Sequence, residues 1–244
     1  MPQRAAQTES AGSKRVNVAR WGRVEYAEAR RRQVELVGRR ARGESPDLLA
    51  AVEHPPVITL GRHAPTDDLL CDRDALARAG IALVRSDRGG RATYHGPGQA
   101  VIYPIVAIAE RGLGVKAWVA LLEDALIETL AAFAVTGRRI EGQPGIWAGE
   151  ADRDAKIASI GLRVTRGVSY HGVSINVTAE SKAGFAHIVT CGVRDQKVTS
   201  IEDEIAHRST TVAPRASATV TVDDASTRFC EALTKRLTDF SSST

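Results

Sequence analysis

Three features of this 244-residue chain have the residue types that covalent chemistry needs, and they lie far apart in the sequence. Cys191 stands in IVTCGVRDQKVTS, with Gly192 directly after it. A thiol followed by glycine is accessible, and the bare backbone there can offer N–H groups to an oxyanion, as acyl transfer through a thioester requires. A free cysteine also serves as a small buried hydrophobe, and the local sequence leaves both readings open. Lys156 opens KIASIGLRV, in a chain with six lysines against 27 arginines. An ammonium near a thiol favours the thiolate, and a partly desolvated amine can carry protons; a lysine that merely protects a strand edge is the competing reading. The third feature is RGGRATYHGPGQ, Arg88 to Gln99, with four glycines and a proline in twelve residues. Its spacing fits neither a Walker loop nor a dinucleotide fingerprint, and the apolar run after it reads as a strand, so no helix N-terminus is placed to hold a phosphate. Tyr94-His95-Gly96 in this loop recurs as Tyr170-His171-Gly172. The six histidines form no metal-ligand pattern, and no metal is assigned.

The elements that must position these residues can be read from periodicity. Tyr26 to Arg42 has helical spacing, with Tyr26, Ala29, Val34 and Val37 towards one side, and ends near Gly43. LLAAVEHPPVITLG gives two short strands around Pro55-Pro56, a pair expected at a bulge or sheet edge because proline cannot donate to a ladder. Asp72 to Gly80 reads as a short helix with a glycine stop, and IALVRSD as a strand leading into the glycine-rich loop. VKAWVALLEDALIETLAAFAV is the clearest helix, with Trp118, Leu121, Leu122, Ala125, Leu126 and Thr129 on its buried face. Lys156 to Val164 and Val168 to Val177 flank a short Thr-Arg-Gly turn and form a β-hairpin. A second amphipathic helix covers Asp223 to Leu237, carrying Phe229, Leu233 and Leu237. The polar residues 1–15 read as a disordered tail, and 16–240 as a single α+β catalytic domain, a mixed β-sheet flanked by helices.

Composition bounds the rest. With 43% hydrophobic and 25% charged residues the chain reads as an ordinary globular protein, and no apolar run is long enough to span a membrane, so cytoplasmic placement is expected. Three widely spaced cysteines suggest reduced thiols, Cys71 and Cys230 being packing residues. Residues 1–42 hold ten arginines and one lysine against four glutamates, a net +7. This basic stretch reads either as a solvated helix face or as a patch that steers acidic partners; nucleic acid is not expected, since interleaved aromatics and binding motifs are missing.

Taken together, EHPPVITLGR, DRGGRATYHGPGQAVIYPI, GIWAG with KIASIGLRV, SYHGVSINV and TCGV resemble, in order, the lipoyl(octanoyl) transferases, whose fold is shared with biotin and lipoate protein ligases. The resemblance spans roughly residues 49–200. It implies that Cys191 takes an octanoyl group from acyl carrier protein as a thioester, with Lys156 assisting. It also implies an acyl pocket formed by Arg88, Gly89, Gly90, Arg91, Ala92, Thr93, Tyr94 and His95, by Ser159, Ile160 and Gly161, and by Gly172, Val173 and Ser174. No cofactor is expected on the protein itself, since the acyl donor carries its own phosphopantetheine. The acceptors implied are lipoyl domains of 2-oxoacid dehydrogenase E2 subunits and the glycine cleavage H protein. Two positions depart from the family: Thr190 stands where proline usually precedes the cysteine, and Val173-Ser174 where a larger apolar residue and alanine are frequent. An ATP-dependent lipoate or biotin ligase and a non-catalytic lipoyl-domain binder are the alternative readings.

Overall fold

In the computed structural model of the chain, the described residues are 15–149, 154–190, 193, 196–211 and 220–242. The tail expected over 1–15 thus lies, apart from Arg15, outside the described residues, and so does Cys191.

The chain starts with strand β1 (Val16–Arg23) and helix α1 (Tyr26–Ala41), then runs through β2 (Asp47–Glu53) and β3 (Val57–Leu60). Helix α2 (Arg73–Arg78) follows, with Asp72 accepting the Ala75 N–H at 2.7 Å as its N-cap, and leads to β4 (Ala82–Arg85), β5 (Ala92–His95) and β6 (Gln99–Ile105). The long helix α3 (Val115–Ala132) precedes β7 (Arg138–Ile140), β8 (Gln143–Ala148), β9 (Ala155–Thr165) and β10 (Val168–Asn176). A 3₁₀ segment over Ala179–His187, helix α4 (Ile201–Thr211) and helix α5 (Val222–Ser242) complete the fold.

These strands form two sheets: a mixed seven-stranded one ordered β1-β2-β6-β10-β9-β8-β7, and a three-stranded one ordered β4-β3-β5. Alternation along β6 divides the large sheet. Ala100 and Ile102 face the main core with Trp118, Leu122 and Leu126 of α3 and Phe229, Leu233 and Leu237 of α5. Val101 and Tyr103 face the other way, toward Ala29 of α1. The small sheet closes its own core, in which Ile58, Leu76 and Tyr94 meet Phe185.

Several expectations change at this point. Pro55-Pro56 stands neither at a bulge nor in an edge strand: it carries the chain from β2 in the large sheet to β3 in the small one. Val34 is exposed, and the buried side of α1 carries Gln33 and Arg40 beside Tyr26, Ala29 and Val37. Leu121 is only partly buried, Leu130 taking its place in the core. The middle of the glycine-rich stretch is not a loop, because Ala92–His95 pairs antiparallel with β3 as strand β5.

Candidate active site

The predicted hairpin sets the site's register. Ser159, Ile160 and Gly161 on β9 lie directly opposite Ser174, Val173 and Gly172 on β10, so the two expected pocket segments are cross-strand partners. Pro104 on neighbouring β6 has no N–H to offer β10, and their pairing covers only Gln99–Ile102 and Val173–Asn176. Beyond that point Gly172 has φ +155° and His171 the left-handed φ of +56°, a conformation that costs a non-glycine residue roughly 1–3 kcal/mol. The kink turns the His171 ring onto the wall of a cleft.

Counting its open mouth this cleft spans about 530 Å³, but its enclosed space is only about 50 Å³, a narrow slot. It lies between the α1 side of the large sheet and the stretch from Arg88 through β5. Arg88, Gly90, Arg91, Ala92, Thr93 and His95 line one wall; Ser159, Ile160, Gly161, Gly172, Val173 and Ser174 line another, together with Lys156. Two expected residues stand apart. Gly89 is a staple, its N–H donated to Leu162 O at 2.9 Å and so withheld from any acyl carbonyl. Tyr94 points into the small core, edge-on to Phe185. Sequence reasoning missed Tyr26, Val101 and Tyr103 as lining residues and left the role of His171, which also lines the cleft, open. The repeated Tyr-His-Gly was the one available signal: His95 and His171 reach the same cleft from different strands.

Lys156 is 2% exposed, although it carries an amine. Its Nζ donates to Pro144 O at 2.9 Å and stands 4.6 Å from the Trp147 ring centre. Gly145 makes room for it: a Cβ there would come within 2.6 Å of Ala158 O and 2.9 Å of Lys156 Cε. The chain downstream of Cys191 is tied to this lysine, since Lys156 N donates to Lys197 O (2.8 Å) and Thr199 N donates to Lys156 O (3.0 Å). Upstream, Thr190 is buried, and its carbonyl accepts the Val193 N–H at 3.0 Å.

Two polar groups on the cleft walls, Arg88 and His171, are held by Thr59 and Asp87. The Arg88 guanidinium donates to Thr59 Oγ1 (3.0 Å) and Thr59 O (2.6 Å). Asp87 accepts from Tyr170 Oη (2.8 Å), Arg163 (2.8 Å), His171 Nε2 (3.0 Å) and Arg30 Nε (2.9 Å). Its partial burial would raise the carboxyl, but the bonds from Tyr170, His171 and Arg30 prevail and hold it well below the usual carboxylate range. Burial lowers His171 to about 4, against the opposing pull of Asp87, so its ring is neutral. With Nε2–H donated to Asp87, Nδ1 is a buried acceptor without a partner among the described residues. His54 is likewise lowered by burial to about 4; its Nδ1–H donates to Val24 O (2.6 Å), so its Nε2 accepts the Tyr103 hydroxyl (2.7 Å). Among the described residues no group of three or more His, Cys, Asp or Glu side chains is arranged to hold a metal ion, and no helix is long and apolar enough to cross a membrane.

A narrow cleft between glycine-lined strands, with a buried lysine at one end and Lys197 and Thr199 bonded to that lysine's backbone, suits an extended acyl group. The sequence profile of the lipoyl protein ligase A/B catalytic domain matches residues 25–234. The chain belongs to this family. Lipoyl protein ligase A/B relatives include an octanoyltransferase of Alkaliphilus metalliredigens, 48% identical over 189 residues that cover 77% of this chain and 84% of the relative. Another octanoyltransferase, from Acidobacterium capsulatum, is 41% identical over 199 residues, 78% and 80% of the two chains. Among solved structures, lipoate-protein ligase A bound with ATP superposes with a TM-score of 0.62 at 15% identity, covering 93% of this chain and 86% of that one. A putative lipoate protein ligase of T. acidophilum with bound lipoic acid gives 0.62 at 14% identity, covering 91% and 86%. The structural likeness establishes the fold, mixed sheets flanked by helices.

Proposed function

We infer that this lipoyl protein ligase A/B family member is an octanoyltransferase of lipoate biosynthesis, passing an octanoyl group to a lysine of lipoyl domains. Its relatives at 41–48% identity over most of the chain are octanoyltransferases. The single observation that carries the reading from likeness to chemistry is Lys156, buried at the end of the cleft and bonded through its backbone to Lys197 and Thr199, downstream of Cys191.

In the reaction we propose, the Cys191 thiolate attacks the octanoyl thioester on the phosphopantetheine arm of acyl carrier protein. A thioester forms on Cys191 as the carrier's thiol leaves, a nearly balanced exchange. The amine of a lipoyl-domain lysine then attacks the acyl-enzyme, and conversion of thioester to amide drives the sequence without ATP. Lys156 favours the thiolate by its charge in the first step and, once neutral, accepts a proton from the amine in the second. The octanoyl chain lies along Ser159–Gly161 and Gly172–Ser174, where small side chains leave a slot, with Arg88 and Gly90–His95 opposite. E2 subunits of 2-oxoacid dehydrogenases and the glycine cleavage H protein supply the acceptor domains. No cofactor of the protein's own takes part.

Transfer of octanoyl from carrier protein to a purified lipoyl domain, with ATP omitted, tests this. The unaltered protein should octanoylate the domain, Cys191→Ala should not, and Lys156→Met should be slower by about 100-fold or more. Octanoylation that required free octanoate and ATP would instead assign the chain to the ligases.

A further inference from the structure

Strand register gives the cleft two ends. Gly89, bonded to Leu162 O, marks one. Gln99 and Asn176 are paired one step beyond the Ile175–Ala158 pair, level with the start of β9 where Lys156 stands, and they mark the other. At this Lys156 end a buried chain of amides has only one possible direction of donation. The Thr199 carbonyl can only accept, so Asn176 presents Nδ2 to it at 3.0 Å. That turns Asn176 Oδ1 toward Gln99, whose Nε2 donates to it at 2.9 Å and to Tyr94 O at 3.3 Å. Gln99 Oε1 is thereby left facing His95 Nδ1 at 2.6 Å, which must carry the hydrogen. The neutral His95 ring then holds a bare lone pair on Nε2, which has no partner among the described residues, and the ring lines the cleft. The far end of the relay returns to the lysine, because Thr199 N–H donates to Lys156 O.

We propose that His95 Nε2 is the fixed acceptor for an N–H of the attacking lysine amine, and that Gln99 and Asn176 are positioning residues that set its tautomer. The proposal rests on the acyl-enzyme reading above. A neutral amine must aim its lone pair at the thioester carbonyl carbon, so an N–H has to point elsewhere, and an octanoyl chain offers it no acceptor. Neutral Lys156 can accept one of the amine's two N–H groups, and the other is left to find an acceptor. In the step, the nitrogen lone pair adds to the carbonyl carbon and the C–S bond breaks with its electron pair on the Cys191 sulfur. The proton lost from nitrogen passes to neutral Lys156 and from there to the thiolate. His95 orients the amine without retaining that proton, because burial, reinforced by His54, Arg88 and His171, lowers its ring to about 3.

The two half-reactions separate this role from a structural one. In single-turnover experiments, the ratio of the transfer rate (octanoylated protein to lipoyl domain) to the acylation rate (octanoyl carrier protein to cysteine) should fall about 10- to 100-fold in His95→Leu, the loss of one well-aimed hydrogen bond. Gln99→Met should lower the same ratio with the imidazole still present. Nitrogen NMR of the unaltered protein should show His95 protonated at Nδ1 and bare at Nε2. An unchanged ratio, equal slowing of both halves, or a hydrogen on Nε2 overturns the proposal. If the unaltered protein formed no acyl-enzyme at all, the failure would lie in the cysteine reading on which this one rests.

Discussion

At the scale of single residues, the groups proposed to carry the chemistry stand out in sequence because their types are unusual for their surroundings. Lys156 stands out in an arginine-rich chain, and Cys191 precedes a glycine. The residues that hold the lysine were not legible, since their roles exist only after strands β8 and β9 have paired. Gly145 is the case in point: nothing in GIWAG marks its first glycine, yet that glycine faces Lys156 Cε with no room for a methyl group, at φ +121°. Gly145→Ala should therefore cost roughly 1–3 kcal/mol of stability through backbone strain and, by pushing the lysine aside, slow cysteine acylation about tenfold or more. Chemical denaturation and a burst assay would check the two effects, and a full-speed enzyme would show that the lysine's placement does not matter. Asp87, Gln99 and Asn176 were also silent in sequence, because buried polar partners look like any other polar residue until the chain folds.

Secondary-structure elements were legible when one face is apolar and obscure when neither is. Helices α3 and α5 and the β9–β10 hairpin follow their periodicity. Strand β1, VNVARWGR, was missed because it is an edge strand with mostly exposed or half-buried positions. Helix α4 was missed because it is short and polar, with Ile201 the one buried residue among its described side chains. The two-sheet arrangement was also hidden, since nothing local reveals that β2 and β3 part company at Pro55-Pro56. What joins these elements is partly ionic. Asp47 at the start of β2 is fully buried and accepts from Arg40 Nε of α1 (2.7 Å), Arg111 Nε (2.8 Å) and the Ala107 N–H (2.9 Å). Asp47→Ala would leave two buried guanidinium groups without this carboxylate and should cost about 3–5 kcal/mol, read as a shifted denaturation midpoint. A loss under 1 kcal/mol would mean that Glu110, which also binds Arg40, suffices.

Across the whole molecule, the basic N-terminal stretch is less free than its net charge implies. Arg40 is buried against Asp47 and Glu110, Arg30 binds Asp87, the partner of the cleft-lining His171, and Arg31 and Arg32 pair with Glu28. Half-buried and buried titratable groups around the cleft instead give the fold a pH dependence. His54, His95 and His171 are lowered by burial to about 4, 3 and 4, so the unfolded chain binds protons below about 6.5 that the folded protein refuses. Each should remove about 1.4 kcal/mol of stability per pH unit between roughly 6 and 4. Asp87 acts in the same direction: its lowered folded value contributes stability above the unfolded carboxyl's range that is lost as pH falls through it. Urea midpoints measured from pH 7 down to 4.5 should fall with a slope approaching three protons, and a flat profile would mean that the histidines are not buried neutral. The central claim, that an octanoyl group passes through a cysteine of this chain, is tested most directly by mass spectrometry after mixing with octanoyl carrier protein and no ATP. The account predicts one octanoyl adduct on the peptide containing Cys191, absent in Cys191→Ala and discharged by a lipoyl domain; an unmodified Cys191 in a protein that still octanoylates the domain would contradict it.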